Sequence, residues 1–73
     1  MHHPQSGPIS QREMEVLKLI AYEHTTKEIA KALYLSKHTI ITYRKQLLTK
    51  LDAKNTAGLV RRAFETGLLT LNN

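Results

Sequence analysis

Between Lys37 and Lys50 the chain carries Lys37, His38, Thr39, Ile41, Thr42, Lys45, Thr49 and Lys50. Lysines bring cations with no acceptor, and threonines bring short hydroxyls that donate or accept. Groups of this kind neutralise phosphates and hydrogen-bond base edges. Catalytic pairings are missing. His24 and His38 have no carboxylates at metal-ligand spacing, there is no glycine-rich phosphate loop, and no Ser/His/Asp set assembles. The residue types point to binding a polyanion, with no enzyme activity, cofactor or resident metal expected.

Composition narrows the setting. The chain has 73 residues, 11 Lys and Arg against 6 Asp and Glu, a net charge of +5 and no Cys. A chain this short makes one domain with a small core, and without Cys neither disulfides nor a thiolate zinc site can support it. The absence of Cys fits a reducing cytoplasm, the expected location. In residues 1–35, Arg12, Lys18, Lys27 and Lys31 balance Glu13, Glu15, Glu23 and Glu28; in residues 36–54, Lys37, Arg44, Lys45, Lys50 and Lys54 face Asp52 alone. A basic segment this local suggests nucleic acid or an anionic membrane surface. Membrane-surface binding needs bulky apolar residues opposite the cations, and residues 37–51 offer no exposed aromatic to insert, so no membrane partner is expected.

The elements that must position these residues can be read from caps and spacing. Residues 1–8 hold both prolines and no period, and are expected to form a disordered leader or linker. Ser10-Gln11-Arg12-Glu13 is a capping box opening a helix to about Tyr22 through Met14, Leu17, Ile20 and Ala21. Thr25-Thr26-Lys27-Glu28 is a second box, opening a short helix through Ile29, Ala30 and Leu33. Tyr34-Leu35-Ser36 reads as a turn, with Ser36 capping a third helix over residues 37–51. Asn55 or Thr56 caps a fourth helix through Leu59, Val60, Ala63 and Phe64, and Gly67 suits its C-terminal end. The expected fold is all-α: four helices in one compact domain over residues 9–70, followed by a tail at 71–73.

On a helical wheel the third helix has two faces. Ile40, Leu47 and Leu51 align in one apolar stripe, while His38, Thr42, Lys45 and Thr49 lie opposite and Ile41 sits at the boundary. Arg44 projects near the stripe and is expected to snorkel or pair. Tyr22, Tyr34 and Tyr43 are expected at the core margin. A short helix, a three-residue turn and a longer helix make a helix-turn-helix, with the third helix as the reading element. Ordinary helical bundles share that spacing.

Further residues carry a resemblance. The runs Ile9-Ser10-x-Arg12-Glu13-x-Glu15-Val16-Leu17-x-Leu19-Ile20-Ala21, Lys27-Glu28-Ile29-Ala30-x-x-Leu33, Leu35-Ser36-x-x-Thr39-Ile40 and Lys50-Leu51, then Lys54-Asn55-Thr56-Ala57-Gly58-Leu59-Val60, resemble the LuxR/FixJ-type (NarL-like) output domain of bacterial response regulators. The resemblance covers roughly residues 9–70. It implies sequence-specific binding of double-stranded DNA, with the third helix in the major groove. By that resemblance Ile41, Thr42 and Lys45 face bases, and Lys27, Thr39 and Lys50 lie near phosphates. The wheel adds His38 to the base-facing set, and the exposed N–H groups of the first helical turn add Lys37 to the phosphate set.

The resemblance also implies a homodimer through the fourth helix. With Leu59 and Ala63 toward the core, Ala57, Val60 and Phe64 form its expected surface. A receiver or sensor domain is expected upstream in a full-length protein, this chain being either an excised fragment or a stand-alone member. The alternative from another class is a helical protein-interaction module that contacts a regulator or RNA polymerase through Phe64, Val60 and Ile41. Four positions depart from the family pattern: Glu23 stands where a Gly usually closes the first helix, Ile41 where Lys is common, Tyr43 where His is common, and Thr56 near a frequent Arg. Glu23 is therefore expected either to be strained or to end the helix differently.

Overall fold

The computed structural model describes residues 7–71. Four helices follow in order, α1 (Gln11–Ala21), α2 (Thr26–Leu33), α3 (Lys37–Lys50) and α4 (Thr56–Glu65), with no strand among the described residues. The expected leader at 1–8 lies outside the described residues except for Gly7 and Pro8, as does the tail beyond Leu71.

Each helix starts on a side chain that accepts from an otherwise orphaned N–H. Ser10 Oγ accepts from Glu13 N at 3.1 Å, Thr25 Oγ1 from Glu28 N at 3.1 Å, Ser36 Oγ from Thr39 N at 3.0 Å and Asn55 Oδ1 from Gly58 N at 2.9 Å. Both capping boxes are complete, because Glu13 and Glu28 each accept from their cap's own N–H at 2.8 Å. All four caps are local, reaching three residues along the chain.

The helix ends share one device. After α1, α2 and α3 a residue turns into the left-handed region, Glu23 at φ 68°, Tyr34 at φ 58° and Asp52 at φ 55°. The next residue then donates back across the turn: His24 N to Leu19 O at 3.0 Å, Leu35 N to Ala30 O at 2.9 Å and Ala53 N to Leu48 O at 2.9 Å. These are Schellman closures, which favour glycine because a side chain there costs about 1–2 kcal/mol. Only α4 uses one, Gly67 at φ 81°. Glu23 thus meets the strained alternative, and Tyr34 and Asp52 share a strain that their residue types did not announce.

The core is one cluster contributed by every helix. Val16, Leu17 and Ile20 of α1 meet Ile29 and Ala30 of α2, Ile40 and Leu47 of α3, and Leu59 and Ala63 of α4, with Leu69 closing one side. Helix α3 packs chiefly against α2 and α1. Leu51, expected in the buried stripe, is only half-buried. Tyr43 packs on the core margin as expected, but Tyr22 is 64% exposed and Tyr34 is 94% exposed. Tyr34 is the residue that turns left-handed after α2, at φ 58°.

Candidate nucleic-acid interface

Helix α3 is anchored on one side and bare on the other. Ile40 and Leu47 are fully buried, whereas His38, Ile41, Thr42 and Lys45 are exposed, Ile41 at 42%. Positions 38, 41, 42 and 45 recur at three- and four-residue steps, so they share one face. That face presents an imidazole, a branched alkyl group, a hydroxyl and an ammonium in about two turns. It can donate to base acceptors and press an alkyl group on a thymine methyl.

The first turn of α3 carries the next expected residues. Lys37 is exposed, and Thr39 is half-buried with its hydroxyl 2.9 Å from Ser36 Oγ. Either hydroxyl can be the donor in this bond; where Ser36 donates, the Thr39 hydroxyl keeps its own hydrogen for another acceptor. Lys27 is exposed in the first turn of α2. Lys27, Lys37 and Lys45 form no ion pair among the described residues.

Lys50 has partners within the protein. Its ammonium donates to Glu13 Oε1 at 2.8 Å and to the Pro8 carbonyl at 3.1 Å, and its side chain is 15% exposed. Two of the three N–H donors of its ammonium are thus engaged within the protein, tying α3 to the start of α1, and a phosphate there would compete with Glu13 and Pro8. Glu13, read from sequence only as the second half of a capping box, is the missed residue. Its side chain is 3% exposed, and although burial works to raise its pKa, the hydrogen bonds from Lys50 and Ser10 and the Lys50 charge hold it below the usual carboxylate value. No local signal could pair residues 37 apart in sequence.

The remaining charges sort as follows. Arg44 is half-buried as expected of a snorkelling residue, but among the described residues its buried Nε has no hydrogen-bond partner and it forms no ion pair. Arg62 lies 3.6 Å from Asp52, so the acid of the basic segment is balanced from α4. Glu28 has its carboxyl held below the usual value by the Thr25 backbone N–H, the capping bond itself. On α4, Leu59 and Ala63 are fully buried, Ala57 is exposed, and Val60 and Phe64 are half-buried against the core. Among the described residues no helix is long and apolar enough to cross a membrane, and no group of three His, Asp or Glu could hold a metal ion.

Comparison with known proteins gives consistent matches. The family model for bacterial regulatory proteins of the luxR family matches residues 7–63. The chain is 40% identical over 69 residues to the uncharacterized response regulatory protein YgeK of Escherichia coli K12, covering 94% of this chain and 47% of that one. It is 40% identical over 65 residues to the transcriptional regulatory protein MctR of Rhizobium johnstonii, covering 89% of this chain and 30% of the relative. Among solved structures, the fold matches the response regulator ChrA of a heme-sensing two-component system at TM-score 0.83 and 24% identity, over 86% of this chain and 31% of that one. It also matches a Vibrio cholera VqmA–ligand–DNA complex at TM-score 0.81 and 25% identity, over 97% of this chain and 31% of that one. The chain thus spans under half the length of these relatives.

Proposed function

The chain belongs to the luxR family of bacterial regulatory proteins, a family of helix-turn-helix transcription regulators, and from that premise we propose that it binds double-stranded DNA in a sequence-specific way through the outer face of α3. The observation that carries this reading is the division of one helix into a buried apolar stripe and an exposed row of His38, Ile41, Thr42 and Lys45. In the proposed complex these four residues meet base edges in the major groove, and Lys27, Lys37 and Thr39 meet phosphates. Phosphate contacts supply most of the affinity by displacing counterions; the row on α3 selects sequence.

Binding as a dimer through Ala57, Val60 and Phe64 of α4 matches two half-sites related by a two-fold axis. The half-burial of Val60 and Phe64 leaves each a free edge for a second copy. In a longer protein the module would act in the cytoplasm as the output of a receiver or sensor domain, with RNA polymerase as a further partner.

Selection from random duplex DNA tests the assignment. The wild type should enrich a defined sequence, and Ile41 or Thr42 substitutions should change it. An unchanged preference in both variants would remove the base-reading role from α3. A domain that shifts no duplex at physiological salt would be an interaction module instead.

A further inference from the structure

Glu13 is the single buried charged residue among the described residues, and DNA reading as proposed gives it no task. Its Oε1 accepts from Ser10 N at 2.8 Å and from Lys50 Nζ at 2.8 Å, while Lys50 Nζ also donates to Pro8 O at 3.1 Å. Closing the capping box needs only the first of these bonds, and glutamine would serve. Glu28 illustrates this: it completes the same box on α2, exposed and without a lysine. The charge at Glu13 is therefore there for Lys50. Burying such a pair costs desolvation that an apolar contact would avoid, so its distinctive contribution is direction rather than net stability.

Direction matters because of what sits across the helix. Ile40 and Leu47 hold α3 against the core by contacts that are not directional, and they permit a small roll about the helix axis. A hydrogen bond weakens steeply as its angle opens, so two acceptors on Lys50 resist that roll. Side-chain tips lie about 6 Å from a helix axis, so a roll of about 10° displaces Thr42 and Lys45 by about 1 Å. A shift of that size along the donor–acceptor line stretches a base-edge hydrogen bond out of range, and one across the line bends it.

We infer that Glu13 and Lys50 are positioning residues for the reading helix: they lock the roll of α3 and join the backbone at Pro8 to its last turn. This rests on α3 being the DNA-contacting helix. It also makes the chain segment before α1 and the reading face one mechanical unit, so a displacement at Pro8 is felt at Thr42 and Lys45.

The test combines free-protein NMR with DNA titrations on Glu13→Gln, which preserves the cap, and on Lys50→Met. In the free protein, both variants should move the amide resonances of Ile9 and of Thr42 to Lys45 together; unmoved resonances at Thr42 to Lys45 overturn the coupling without reference to DNA. In titrations against a selected duplex and an unrelated one, both variants should lose about tenfold on the selected duplex and little on the other, with the salt dependence unchanged. Lys50→Arg should restore most of the discrimination if Lys50→Met folds poorly. If Lys50→Met lowers the slope of log K against log salt by about 0.9 on both duplexes while Glu13→Gln is silent, Lys50 is a phosphate ligand and the inference fails. Should the wild type not distinguish the duplexes, the DNA-reading proposal fails, while the amide shifts still decide the coupling.

Discussion

Lys45 and Lys50 belong to the same helix and the same basic segment, yet the fold uses them in opposite ways. Lys45 stands in solvent with no ion-pair partner among the described residues, whereas Lys50 is turned inward onto Glu13 and Pro8. The difference lies in what the fold places opposite each ammonium. At the outer face of α3 there is open space; at its C-terminal end there is the capped start of α1. A count of cations along a segment thus overstates the charge it offers a partner. The unpaired lysines of α3 among the described residues are Lys37, in the turn that Ser36 caps, and Lys45, just past the middle of the helix.

Removing each ammonium in turn should separate the two lysines most widely. Lys50→Met leaves Glu13 buried without its cation, and we expect a loss of about 2–4 kcal/mol. That corresponds to a fall in Tm of roughly 10–25 °C in a domain of this size, read by thermal melting. Lys45→Met should change stability by no more than about 0.5 kcal/mol. Equal effects from the two substitutions would erase the distinction.

Acidification probes the same end of α3 from the carboxylate side. The pKa of Glu13 is lower in the folded chain than its ordinary value of 4.5, so it contributes stability above that value and loses it as pH falls through the folded pKa. In Lys50→Met the unpaired carboxylate gains from protonation instead. The stability gap between wild type and Lys50→Met, measured by urea unfolding, should therefore narrow from pH 7 to pH 3. A gap that widens would contradict the pairing.

Smaller effects sharpen the contrast between the ends. Tyr34 adopts the left-handed turn that leads into α3, and its ring is almost fully exposed. Tyr34→Gly should stabilise the fold by up to about 1 kcal/mol by relieving strain, visible as a raised urea midpoint. The exposed pair Arg61–Glu65 at 3.0 Å is the counterpart of Glu13–Lys50 on the surface. Arg61→Ala should cost only about 0.3 kcal/mol, and less in high salt.

Much of the fold was legible because its determinants are close in the chain. Ser10, Thr25, Ser36 and Asn55 each bond an N–H three residues on, so the helix starts follow from residue type and spacing alone. The 3.6-residue period separated Ile40 and Leu47 from Thr42 and Lys45 before any packing was known. Glu23 stood out as a non-glycine where the related pattern turns left-handed. Tyr34 and Asp52 did not, since their helix ends are closed by backbone bonds that carry no side-chain signature. Val60 and Phe64 could be placed on a face, but how far the core covers them depends on the neighbouring helices.

Sequence alone thus determined four capped helices, a two-faced third helix and its family, because a cap or a helical face is an interaction over three or four residues. Tertiary structure alone decided which cations remain available. Lys50 meets Glu13 across 37 residues and Pro8 across 42, and only the packing of α3 on α1 brings them together. A charged side chain carries the same charge wherever it sits; its role is set by the acceptor that the fold delivers to it.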